Sequence, residues 1–156
     1  TLNHLGTAHR ELGRLGDSRR VLEDAIGIGQ ATWGESHPRL TGLLLNLART
    51  ELHLDDLAAA EQSLEASLEM HRAFFGQADW RTAEATAWLG VLRSRQGRFP
   101  EAESLMLQGY SVLLDQRGAN AVAIREIRNR LFRFYTEQGL DTEAERFRPE
   151  SPQALR

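Results

Sequence analysis

Cysteine and lysine are both missing from this 156-residue chain, and no apolar run approaches the length of a membrane-spanning helix. The first absence removes disulfides and thiolate metal sites; it permits a reducing cytosol, and a cytoplasmic location is expected. The second leaves arginine as the only strongly basic side chain, since all 19 basic residues are arginine. That bias points to a GC-rich bacterial genome, and arginine's planar fork favours carboxylate and phosphate partners. A net charge of −3 offers no broad attraction to nucleic acid or to an anionic membrane, so neither is expected as a partner. No stretch alternates with period two, so neither strands nor a phosphate loop following a strand is expected.

What the chain does have is a period of 42 residues: Leu5, Leu47, Leu89 and Leu131 fall in register. The residues after them are Gly6, Ala48, Gly90 and Phe132, small in three cases of four. Thirteen residues beyond each leucine stand Ser18, Ala60, Ala102 and Ala144, and seven further on Ala25, Ser67, Gly109 and Ser151. Gly34, Gly76 and Gly118 share the same register. A fixed period of this length means stacked supersecondary units, not a globular core with a catalytic cleft.

Turn signals alternate with amphipathic stretches too long for strands, which predicts paired helices near 1–12 and 17–33, 39–54 and 57–75, 81–96 and 100–116, and 121–138 and 141–147. Pro100 suits a first helical turn, where its missing N–H costs nothing. In the fourth helix Leu57, Ala60, Leu64, Leu68 and Phe75 form an apolar stripe, and Glu61, Glu65 and Glu69 the solvated face. The small residues belong where two helices of a hairpin approach closely. Phe132 departs from that rule, and Arg148 stands where Leu22, Leu64 and Met106 set the pattern, so the fourth unit reads as an incomplete cap.

The arrangement Leu5-Gly6, Ser18, Leu22, Ala25, repeated as Leu47-Ala48, Ala60, Leu64, Ser67 and Leu89-Gly90, Ala102, Met106, Gly109, resembles the tetratricopeptide repeat. Gly97-Arg98-Phe99-Pro100-Glu101-Ala102-Glu103 is similar to that family's inter-helix turn, and Gly34-Glu35-Ser36-His37-Pro38 to the linker of its 42-residue, kinesin-light-chain-like subtype. The usual period is about 34 residues. Eight more helical residues add roughly 12 Å, enough for longer second helices and a longer loop. The later linkers, from Gly76 and Gly118, keep the glycine but lose His-Pro. The resemblance implies an all-α, right-handed superhelical array of antiparallel helix hairpins, an α-solenoid with three full repeats and a partial C-terminal one. Units are expected near 1–38, 39–80, 81–122 and 123–148, with a tail over 149–156.

Little speaks for catalysis. His4 and His9 lie five apart and face away from each other on a helix, and Asp55-Asp56 falls at an inter-helix turn, where it caps the next helix. No enzyme activity, metal or cofactor is expected. A binding scaffold is the alternative. The resemblance implies that first helices line a concave groove, into which the residue before each repeated leucine points: His4, Asn46, Trp88 and Arg130. Positions two and six residues after each leucine also face inward, among them Arg49, Arg133, His53 and Arg95. The expected peptide-binding set is therefore Asn46, Arg49, His53, Trp88, Arg95, Arg130 and Arg133. Asparagine can bridge a peptide N–H and C=O, arginine can pair bidentately with oxyanions, and Trp88 can supply an apolar anchor.

The expected ligand is a protein or peptide segment, acidic or phosphorylated. Family modules that clamp a chaperone tail use lysine, which this chain lacks. Trp33 and Phe75, 42 apart at the ends of second helices, are read as inter-repeat packing. Thr1 is no initiator, so a fragment of a longer protein is expected. The last unit resembles repeat regions of bacterial Ser/Thr kinases, and similar arrays occur in actinobacterial transcriptional regulators. The competing function is self-association through an exposed N-terminal repeat.

Overall fold

The computed structural model describes residues 1–116 and 121–149. Among these it holds eight helices and no strand: α1 (Leu2–Glu11), α2 (Leu15–Trp33), α3 (Pro38–His53), α4 (Leu57–Phe75), α5 (Trp80–Arg95), α6 (Phe99–Asp115), α7 (Ala121–Glu137) and α8 (Asp141–Glu145). Each falls close to a stretch that the 42-residue register marks out. The linker residues from Gly118 to Asn120, the register position Ser151 and the tail beyond Pro149 lie outside the described residues.

Each hairpin turn is made the same way, and the reason is local. Gly13, Gly97 and Gly139 adopt φ of 73°, 76° and 72°, and Asp55, at the equivalent position, adopts 61°. This left-handed residue lets the next N–H reach back five residues to a carbonyl: Arg14 to His9 at 2.8 Å, Asp56 to Glu51 at 3.0 Å, Arg98 to Arg93 at 2.9 Å and Leu140 to Tyr135 at 2.9 Å. Carbonyls that the helix would otherwise strand are thereby satisfied. Helix starts are marked as well. The Asp56 carboxylate accepts from the Ala59 N–H at 3.2 Å, so the capping role expected at this turn is met. His37 and Asp79, 42 residues apart, accept from the N–H groups of Arg39 and Arg81 at 3.2 and 2.9 Å. The aromatic residues before each linker fold back on it: the Arg39 guanidinium lies 5.3 Å from the Trp33 ring and that of Arg81 3.8 Å from Phe75.

Small residues bring the helices together. A methyl group on Gly90 would stand 2.8 Å from the Met106 backbone nitrogen, and one on Gly109 2.5 Å from the Ala83 carbonyl oxygen. On Gly6 its nearest neighbours would be Leu22 side-chain atoms, the closest at 2.6 Å. Ser18, Ala60 and Ala102 are fully buried, and the Ser18 hydroxyl donates to the Gly6 carbonyl at 2.8 Å. At the C-terminal end α8 stops at Glu145, short of the expected 147, and the chain turns so that Phe147 enters the core. Its ring stacks on Tyr135 at 5.7 Å and meets Tyr110 edge-on at 5.5 Å. The apolar role missing at Arg148 is thus taken by its neighbour. Burial and the bonded Glu103 carboxylate push the Tyr135 hydroxyl up to about 12.

The first helices approach one another, α1 to α3, α3 to α5 and α5 to α7, whereas α2, α4 and α6 have no such mutual approach among the described residues. First helices therefore form the inner, concave wall and second helices the outer one. If this packing holds, Gly109→Ala lowers stability by roughly 1–3 kcal/mol in denaturant melts, because backbone atoms cannot yield. Gly42→Ala, whose added methyl would meet nothing nearer than the Asn3 amide nitrogen at 4.0 Å, raises stability by about 0.5–1 kcal/mol. Equal effects at the two sites would contradict the packing.

Candidate functional site

All seven residues expected in the groove lie on the first helices: Asn46, Arg49 and His53 on α3, Trp88 and Arg95 on α5, Arg130 and Arg133 on α7. Five of them, Arg49, His53, Trp88, Arg130 and Arg133, line one depression of about 440 Å³ together with Arg10, Glu11, Glu126 and Asn129. Arg95, Arg130 and Arg133 line a second, of about 360 Å³, with Val91, Ser94, Met106, Phe134 and Glu137. Asn46 lines neither. Its amide donates to the Asn3 side-chain oxygen at 2.8 Å and its own oxygen accepts from Arg10 at 3.4 Å, so it ties α3 to α1. His4, also expected to point inward, is exposed and bonded to the Thr1 hydroxyl at 3.1 Å.

Trp88 sits at the centre but is 1% exposed, a floor to the groove with its face covered. The guanidiniums of Arg49 and Arg130 lie 4.6 and 5.2 Å from its ring centre, contacts worth about 0.5–2 kcal/mol each when partly desolvated. Arg49 reaches both carboxylate oxygens of Glu126 at 2.5 Å through Nη2 and approaches Glu84 at 3.7 Å. Arg95 pairs with Asp55 at 2.7 Å, and Arg133 stands 3.9 Å from Glu137. Arg130 has no carboxylate at ion-pairing distance among the described residues.

The charge balance leaves its mark on the ionisable groups. Burial, then the Arg49 charge, lowers Arg10 to about 10. Burial and the Arg133 charge lower Arg130 as well. Glu84 is pushed up by burial, against the pull of Arg49. His53 is lowered by burial despite its bond to the Arg49 carbonyl at 2.6 Å, and the nearby arginines add to the effect. Removing like charges from water raises their mutual repulsion, so the cluster favours an anion.

Glu84, Glu126 and Arg10 are among the residues of the site that escaped the sequence reading. Glu84 and Glu126 are 42 residues apart and precede Trp88 and Arg130 by one helical turn, a spacing that puts them on the same face. That signal was there to use. Arg10 has no such mark, since the equivalent positions hold Leu52, Ser94 and Thr136.

The chain belongs to the tetratricopeptide repeat family: the family model matches residues 1–73 and, overlapping them, 39–115. Such repeats generally mediate protein–protein interaction, and the fold is typically a non-catalytic scaffold. Two of the solved structures that share the fold illustrate it. One is BtubC (BKLC) from P. vanneervenii, with a TM-score of 0.74 and 19% identity over 94% of this chain and 58% of that one. The other is a Podosopora anserina protein of nearly identical TPR-like repeats described as a kinesin light chain, with a TM-score of 0.73 and 18% identity over 94% of this chain and 69% of that one. The chain thus spans little more than half of the first structure. No curated protein matches it. No described helix is long and apolar enough to cross a membrane.

Because the Trp88 ring is buried, Trp88→Ala should cost about 3–5 kcal/mol of stability in a denaturant melt. A loss below about 1 kcal/mol would mean that the indole is an exposed ligand contact after all.

Proposed function

We propose that the array is a non-catalytic scaffold whose concave face holds an extended protein segment bearing acidic or phosphorylated side chains. The observation that carries this reading is the inversion of charge on that face. The chain as a whole is acidic at −3, yet the two adjoining depressions are lined by five arginines, Arg10, Arg49, Arg95, Arg130 and Arg133, against three glutamates, Glu11, Glu126 and Glu137. A carboxylate or phosphate entering there meets planar donors already oriented by the helices, which lowers the ordering cost of binding. Arg49, His53, Trp88, Arg95, Arg130 and Arg133 are its proposed contacts or their support, and Asn46 holds the α1–α3 wall in place.

Fluorescence anisotropy with a labelled hexaglutamate peptide tests this. Binding should weaken as salt rises, because the partly exposed arginines are screened. Arg133→Gln should cost about 0–1 kcal/mol, as an exposed contact does. A peptide array whose hits survive simultaneous Arg→Gln substitution at positions 95, 130 and 133 would overturn the assignment.

A second reading has its own observation. Leu2 and Leu5 on α1 stand 42% and 46% exposed and Leu12, which ends that helix, 71%, beside an apolar depression of about 320 Å³ lined by Leu2, Ala25, Ile28, Trp33 and Leu43. Such a patch favours self-association. Sedimentation velocity should then show a concentration-dependent dimer that Leu5→Glu with Leu12→Glu dissolves. A monomer at every concentration would leave the groove reading alone.

A further inference from the structure

In a solenoid each unit packs on its neighbours, so side-chain bonds are expected between adjacent first helices. One bond reaches further. Arg49 on α3 grips both oxygens of Glu126 on α7 at 2.5 Å, although α5 lies between and α3 and α7 have no direct backbone approach among the described residues. The bridge runs where Trp88 of α5 lies beneath the Arg49 guanidinium.

The two halves of this bridge are not equally fixed. The Arg49 side chain is 10% exposed, held by the indole below and Glu84 beside it, whereas that of Glu126 is 35% exposed and so the more accessible half. Donors are in surplus at the same point. Arg49 Nε and Trp88 Nε1 are buried with no acceptor, where buried N–H groups are normally paired. Arg130, over the same ring, has no carboxylate at ion-pairing distance among the described residues.

We infer that Arg49 and Arg130, held over Trp88, form the seat for one anionic side chain of the bound segment, carboxylate or phosphate, and that Glu126 fills this seat until that side chain displaces it. This rests on the reading of the concave face as an anionic-peptide groove. Swapping one carboxylate for another on Arg49 is close to neutral, because each desolvates a similar charge against the same guanidinium. The gain comes from Arg130, which an incoming oxyanion can bond directly, whereas Glu126 acts on it through its charge alone. A phosphate, with three acceptor oxygens and a higher charge, suits two guanidiniums better than a carboxylate does.

The experiment uses two labelled probes, the hexaglutamate peptide and a glycine-serine peptide bearing a single phosphoserine, on wild type, Glu126→Gln and Arg130→Gln. Glu126→Gln should tighten binding about tenfold, the factor expected if the seat is free about a tenth of the time. Arg130→Gln should weaken both probes, and combining it with Glu126→Gln should cancel the gain. A tighter grip on phosphoserine names phosphate as the preferred anion, and equal or tighter hexaglutamate binding names carboxylate; either supports the seat. If wild type binds in a salt-sensitive way and Glu126→Gln binds equally or more weakly, displacement is overturned and the groove reading stands. If neither protein binds either probe, both readings fall. Should Glu126→Gln melt early, Glu126→Asp retains the charge on a shorter arm and should tighten binding by a smaller factor. Unchanged affinity there overturns displacement as well.

Discussion

Close approach of paired helices at positions without bulk is the constraint on which the rest depends. At Gly90 and Gly109 the neighbouring backbone stands where a methyl group would be, so α5 and α6 sit nearer than two helices with ordinary side chains could. The α1–α2 and α3–α4 hairpins also meet at buried small residues, Ser18, Ala48 and Ala60 among them; each second helix then packs on the first helix of the next hairpin, and first helices approach one another where second helices, among the described residues, do not. The concave wall follows from that asymmetry. It also explains how residues as distant in sequence as Arg49 and Glu126 meet: the inner helices are close enough for one long side chain to reach past the helix between them.

The wall's chemistry follows from what the composition permits. A face lined by lysine would let flexible ammonium groups turn out to water, whereas planar guanidiniums can stack on an indole and remain half desolvated. Arg49 and Arg130 do this over Trp88. The arrangement gathers positive charge at the centre of an acidic chain, and the buried Glu84 with the more accessible Glu126 only partly offsets it.

Much of the fold was legible because the period is long and its markers are steric. A repeated leucine, a small residue after it and a glycine at each turn define hairpins regardless of which side chains face water. Even Asp55, which breaks the glycine series, takes the same left-handed turn. The site was less legible. The resemblance to the repeat family implied that Arg49, Trp88 and Arg130 face the inner wall, but it carries no information on which side chains pair across it. The bonds of Asn46 to Asn3 and Arg10, and of Arg49 to Glu126, depend on superhelical curvature. Phe147 was missed for a related reason: once α8 ends, the helical period no longer says which residue turns inward.

The central claim is that anionic segments bind the inner wall over Trp88, and nitrogen–proton correlation spectra test it most directly. The chain has three tryptophans, so three indole N–H signals serve as local reporters. Titration with the hexaglutamate peptide should move the Trp88 signal and leave that of Trp33, beside the N-terminal apolar depression, in place. Movement of Trp33 with Trp88 unchanged would contradict the account and put the binding surface at the end of the array.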